Sequence, residues 1–339
     1  MRCRTLFTAL LVTAVSTSAA TTPATAQTPM SEIDAHIAAA KTAAGLDYRA
    51  TFVNLCFPTP LPGGPRGTAA LLAPRPAPDR GIWYASPYRV FDNLYWLGTR
   101  QHSSWALRTS AGLIIIDTNF AWATQPEILD GLAKLKLAPK DIKYVILSHA
   151  HGDHDQGVAT LQSRFGAKVV MGGPDWDATL KRAPDVAGGV PTRGPGDIAV
   201  GPEGSKVTLG DTRVDIIFTP GHTPGTLSYV FPVKDKGKTV MVAYSGGTLT
   251  GAFGADAKRW DEYIDSQKRM AAAAAAVGAS VILSNHSEYD NAYTKARLVS
   301  VKREVGEDNP FIVGPESVQN YFTVMEECAT ASKLRNGAK

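Results

Sequence analysis

The chain has little that would mark it as membrane-anchored, nucleic-acid-binding or built on disulfides. Its 339 residues include only three cysteines, too few to staple a small secreted scaffold. No stretch of 18 apolar residues occurs, so no segment reads as a membrane span. Lys and Arg outnumber Asp and Glu only 35 to 31, which gives no basic surface for nucleic acid. No internal repeat is visible. Histidine is scarce too, with seven in all, and that scarcity makes the position of each one informative.

The first residues have their own logic. MRCR is a short basic start, LFTALLVTAV is apolar but too short to cross a bilayer, and ATA before Gln27 offers small residues at a cleavage site. Residues 1–26 are expected to be a secretory signal peptide cut after Ala26; a retained anchor is the rival. The mature protein is then periplasmic or secreted, without membrane contact after cleavage. Loss of Arg2 and Arg4 takes two positive charges from the formal +4. Cys3 leaves with the signal, so Cys56 and Cys328 are the pair that an oxidising compartment could join. Two buried free thiols are the alternative.

After the signal, residues 27–81 are expected to form an N-terminal helix (31–45) and a Pro/Gly-rich arm (58–81), with the main domain at 82–339. Strand signals follow in VFDNLYWLG, SSWALRTS, GLIIIDT, KYVILS, AKVVM, VTLG, VDIIFT, TLSYVF, TVMVAY and SVILS. Helical spacing covers 125–137, roughly 156–165, 260–277 and 315–330, and residues 184–206 read as a long irregular loop. Clustered strands with interspersed helices indicate an α/β sandwich and not a strict βαβ alternation.

Three of the seven histidines stand in 145-VILSHAHGDHDQG-157. In a loop leaving a strand, positions i and i+2 can converge on one point while i+4 and i+5 reach an adjacent one. His149, His151, Asp153 and His154 carry the imidazole and carboxylate donors that zinc prefers, and Gly152 lets the chain turn between them. Two metals need more than this loop supplies. His222 in 219-TPGHTPG-225 and His286 in 281-VILSNHSEYDN-291 also follow apolar strands, so one sheet edge could present all of them.

HAHGDH, TPGHTPG and a late histidine after an apolar strand resemble the metallo-β-lactamase fold superfamily, over roughly residues 83–290. The resemblance implies a four-layer αββα sandwich with two Zn²⁺ ions along one edge. Carried over by residue, the first zinc takes His149, His151 and His222, and the second takes Asp153, His154 and His286. Asp117 matches the family's non-ligand aspartate, which steadies the ligand loop. Glyoxalase-type members place a metal-bridging Asp after the strand represented here by TVMVAY, and other β-lactamases place a Cys there. This chain has 245-SGGTLTG-251, with neither, which is the ligand pattern of subclass B3. Thr248 and Thr250 look like that subclass's hydroxyl contacts to substrate. Plain strand-end threonines are the alternative.

The expected activity is hydrolysis of a small anionic substrate, a β-lactam, by attack of a metal-bridging hydroxide on the amide carbonyl, with Asp153 orienting it. A lactone or other ester suits the same centre, and a non-catalytic zinc-binding role is the remote alternative. The last histidines are read as bland: His36 as solvated, and His102, which the resemblance places near the site's rim, as an ordinary turn residue, with lining of the substrate groove beside Trp105 or Trp122 as the alternative.

Overall fold

In a computed structural model the described residues are 31–58, 76–183, 186–248 and 253–338. The expected signal peptide, Thr250 and most of the Pro/Gly-rich stretch lie outside them. Among the described residues, twelve strands form two sheets. The first contains β1 (Tyr88–Arg89), β2 (Leu94–Trp96), β3 (Trp105–Thr109), β4 (Gly112–Ile116), β5 (Ile142–Ile146), β6 (Lys168–Gly172) and β7 (Ile198–Val200), neighbours in sequence order. Its early strands pair antiparallel, while β4 to β7 pair parallel. The second contains β8 (Ser205–Leu209), β9 (Thr212–Phe218), β10 (Leu227–Asp235), β11 (Lys238–Ser245) and β12 (Val281–Ser284), in order 12-11-10-9-8. Its pairs are antiparallel except β11 with β12.

Why the strands read as continuous apolar runs is clear from their burial. In β4, Ile114 and Ile116 enter the core between the two sheets, where they meet residues such as Val207, Phe231 and Leu283. The alternate residues Leu113 and Ile115 face an outer layer with Leu129, Leu132, Leu161 and Trp176. A strand covered on both faces has no polar side to show.

Helices close both outer faces: α1 (Glu32–Ala44), α2 (Arg49–Cys56), α3 (Val158–Phe165), α4 (Gly173–Leu180), α5 (Ala257–Ala276) and α6 (Pro315–Arg335). The last two cover the second sheet. Asp256 caps α5 by accepting from Arg259 N at 3.1 Å, and Trp260, Tyr263, Gln267, Met270 and Ala274 recur every three or four residues on its buried face. The result is the four-layer αββα sandwich.

Several expectations need correction. The N-terminal helix does not stand apart from the main domain: Ala40, Ala44, Tyr48 and Leu55 of α1, α2 and their connection are buried with Tyr321, Phe322 and Met325 of α6. His36 is not free in solvent, because its Nδ1 lies 2.6 Å from Glu327 Oε2. The segment 125–137 is a wide helical turn at Thr124–Leu129 followed by a regular one at Asp130–Lys134. Cys56 and Cys328 do form a disulfide, with Cα atoms 4.5 Å apart, fastening α2 to α6.

Candidate metal centre

Loops leaving the C-terminal ends of β4, β5, β9 and β12 bring the expected residues together. His149 Nε2 and His151 Nδ1 each lie 3.1 Å from His222 Nε2, and these three donors form one group able to hold a metal ion. His154 Nε2 lies 3.1 Å from His286 Nε2 and 3.2 Å from Asp153 Oδ2, which is itself 3.3 Å from His286 Nε2. Bonds of about 2.0–2.1 Å to one zinc ion place neighbouring donors about 2.9–3.4 Å apart, so both sets have the spacing of ligands.

Oxygen atoms behind the rings set which nitrogen faces the centre. His149 Nδ1 lies 2.9 Å from Gly246 O; a carbonyl only accepts, so Nδ1 carries the proton and the Nε2 lone pair points inward. His154 Nδ1 is 3.2 Å from Asp117 Oδ2, and His286 Nδ1 is 3.5 Å from Glu288 Oε1, which directs their Nε2 atoms inward as well. Lone pairs meeting at such distances repel unless a cation sits among them. The residues therefore fit a metal ion.

Electrostatics separate the two groups. Burial, reinforced by His222, holds His149 well below the usual histidine range, and burial takes His151 down to about 4. These rings are neutral and ready to donate lone pairs. Burial also opposes charge on His154, but Asp153 and Asp117 outweigh it and hold the ring up at about 10. Two carboxylates thus draw positive charge to the second group, be it a proton or a metal ion.

The scaffold beneath is dense. Asp117, at φ +58°, accepts from Ser148 N at 2.7 Å and, through Oδ2, from Ser148 Oγ at 2.8 Å and Tyr244 OH at 2.9 Å. That left-handed backbone conformation costs energy and is held by Asp117 N donating to Ile146 O and by Ser104 Oγ donating to Asp117 O. Asp175 accepts from Ala150 N, Thr223 Oγ1 and Gly225 N. Arg259 donates from Nε to Gly221 O at 2.8 Å and from Nη2 to His222 O at 2.6 Å. Asn285 Nδ2 donates to Gly246 O at 2.8 Å.

The two glycines that follow β11 leave no room for a ligand side chain of their own. A Cβ on Gly247 would come within 2.5 Å of His222 Cβ, and one on Gly246 would drive into the Leu227 carbonyl. No carboxylate or thiol can project from these two positions.

All six expected ligands and Asp117 converge. Thr248, expected to face substrate, is instead only 1 % exposed; the tight passage of the glycine segment over Leu227 and His222 carries it inward. His102, read as a turn residue, stands in the site: His102, Asp153 and His286 form a second group whose donor atoms lie within 4.8 Å of one another. Asp175, Arg259 and Asn285 carry no signal in the sequence, since the partner of each is remote along the chain, and Glu288 is one polar residue among several in SNHSEYDN.

Comparison with known proteins agrees with this geometry. Residues 97–235 match the metallo-β-lactamase superfamily profile. A hydroxyacylglutathione hydrolase from a Bradyrhizobium strain is 28 % identical over 221 residues, covering 62 % of this chain and 80 % of its own. Among solved structures, the subclass B3 metallo-β-lactamase BJP-1 of Bradyrhizobium japonicum is 27 % identical with a TM-score of 0.59, covering 79 % of this chain and 97 % of its own. The FEZ-1 metallo-β-lactamase of Legionella gormanii shares the fold at 23 % identity and a TM-score of 0.63, covering 75 % of this chain and 98 % of its own. Over residues 97–235 the chain carries a metallo-β-lactamase superfamily domain, and its fold is like that of subclass B3.

Proposed function

We propose that the protein is an exported dinuclear zinc hydrolase that opens the amide ring of a β-lactam. The observation that carries this reading is the closed glycine segment after β11. Gly246 and Gly247 admit no bridging side chain, which leaves five imidazoles and one carboxylate as the donor set.

His149, His151 and His222 would hold one zinc, and Asp153, His154 and His286 the other. Bound zinc supplies a water activated at neutral pH and a Lewis acid for the carbonyl oxygen. Two dications against one ligand carboxylate make the centre cationic, which favours an anionic substrate. Asp153, whose Oδ2 lies 3.2 Å from His154 Nε2 and 3.3 Å from His286 Nε2, would also orient the group that reacts there. Phe120 packs against His102 with ring centroids 5.0 Å apart and stacks on Trp122, also at 5.0 Å; together they offer an apolar wall for the body of a substrate.

A thioester or other ester is the second reading, favoured by the similarity to hydroxyacylglutathione hydrolases. The two are separated by a side-by-side panel: zinc-loaded protein with a chromogenic cephalosporin, a penicillin, a carbapenem, an aryl lactone and a glutathione thioester. The β-lactamase reading expects β-lactam turnover to dominate and to stop on adding chelator. Turnover of the thioester or lactone without any of the three β-lactams contradicts it. Export is supported by the Cys56–Cys328 disulfide, which suits an oxidising compartment, and N-terminal sequencing of the mature protein should start at Gln27.

A further inference from the structure

We propose that His102 is a fourth side-chain ligand of the second metal ion, beside Asp153, His154 and His286. The proposal rests on the two-metal reading above and extends it to a residue outside that donor set.

Three imidazole nitrogens surround one carboxylate oxygen. Asp153 Oδ2 lies 3.2 Å from His154 Nε2, 3.3 Å from His286 Nε2 and 3.5 Å from His102 Nε2. Asp153 and His286 therefore belong to two donor sets at once, completed by His154 on the fully buried side or by His102 on the side of Phe120. An ion seated on the shared pair is within reach of both rings. Neighbouring donors on one zinc are about 2.9–3.4 Å apart, so the 3.5 Å separation asks for little movement.

The backbone keeps His102 in place. It forms an antiparallel bridge with His286, flanked by Ser103 N donating to Asn285 O at 2.8 Å and Ser287 N donating to Gln101 O at 2.7 Å. The two rings pack edge to face with centroids 4.9 Å apart. Thr99 Oγ1 accepts from His102 N at 2.8 Å and lies 3.3 Å from His102 Nδ1. With the ring proton on Nδ1 toward Thr99, the Nε2 lone pair faces Asp153. A histidine held at two hydrogen-bonded points, with one nitrogen turned to a ligand carboxylate, has the support expected of a metal ligand.

The test compares wild type with His102→Ala and His102→Gln. Stepwise Zn²⁺ affinities are measured by competition with a chromophoric chelator, and the Co²⁺-loaded proteins are examined by paramagnetic proton NMR. Ligation by His102 predicts two ions in wild type, second-ion binding weaker by at least about 10-fold in both variants, and one fewer exchangeable hyperfine-shifted imidazole N–H resonance. First-ion affinity should be unchanged, which checks that the variants are folded. Unchanged second-ion affinity overturns the proposal alone. Weaker binding with no resonance lost also overturns it, and makes His102 a hydrogen-bond donor to Asp153 instead. A wild type that binds fewer than two ions overturns both this proposal and the two-metal reading.

Discussion

Asp175 Oδ2 accepts a hydrogen bond of 2.7 Å from Thr223 Oγ1, and the same oxygen accepts from Ala150 N at 2.8 Å. Through these contacts one carboxylate on α4 ties the loop that carries His149 and His151 to the loop that carries His222. Asp175→Ala leaves the three N–H and O–H groups without their acceptor. It should weaken binding of the first metal ion about 10- to 100-fold and lower stability by about 1–3 kcal/mol. Calorimetric zinc titration and denaturant melts check both. Unchanged first-ion affinity would show that the two loops hold their geometry independently.

Gly247 provides a sharper test of the closed segment after β11. If a side chain there cannot be accommodated, Gly247→Asp will not create a bridging ligand. It should displace His222 and lose the first metal ion, measured as bound zinc per chain after dialysis. A folded variant that retains two ions and binds the second more tightly would show that the segment opens readily.

The disulfide encloses a sequence separation of 272 residues, so its loss frees a very large loop in the unfolded chain. Cys56→Ser with Cys328→Ser should lower unfolding stability by up to about 5 kcal/mol while leaving zinc stoichiometry unchanged, because the bridge joins α2 to α6 and neither helix carries a ligand. Thermal melts with and without reductant report the first effect, and elemental analysis the second.

Away from the metal centre, burial pushes the Glu127 carboxyl up to about 8, against the Ala85 N–H that donates to it. Its ordinary value lies near 4.5, so between that value and pH 8 the folded chain binds more proton than the unfolded one. The contribution of Glu127 to stability is therefore full below the ordinary value and declines as pH rises through this window. Glu127→Gln should remove that decline and raise Tm at pH 8 relative to wild type, with little difference at pH 4. An equal difference at both values would mean that Glu127 is ionised throughout.

Which parts of this site are legible in the sequence follows from the kind of signal each residue carries. His149, His151, Asp153 and His154 are close together in the chain, and His222 and His286 each follow an apolar strand, so residue order alone points to their common edge. Most strands are legible because burial on both faces leaves uninterrupted apolar runs. β7 is hidden in the long loop at 184–206, since three residues are too few for a period to emerge. α2 gives no signal because RATFVNLC is buried by packing against α6, not by a strong apolar stripe of its own. His102 and Asp175 are opaque for a different reason. Their partners Asp153 and Thr223 lie about 50 residues away in sequence, and only the meeting of loops from separate strands makes them part of the centre.

The most direct measurement is zinc per chain, by elemental analysis after equilibrium dialysis, for wild type, His149→Ala and His286→Ala. A centre built from the two donor sets, with His102 beside the second, predicts two ions in wild type and about one in each variant after dialysis, with hydrolysis reduced in both. Two ions retained in either variant would contradict the assignment of these histidines as ligands.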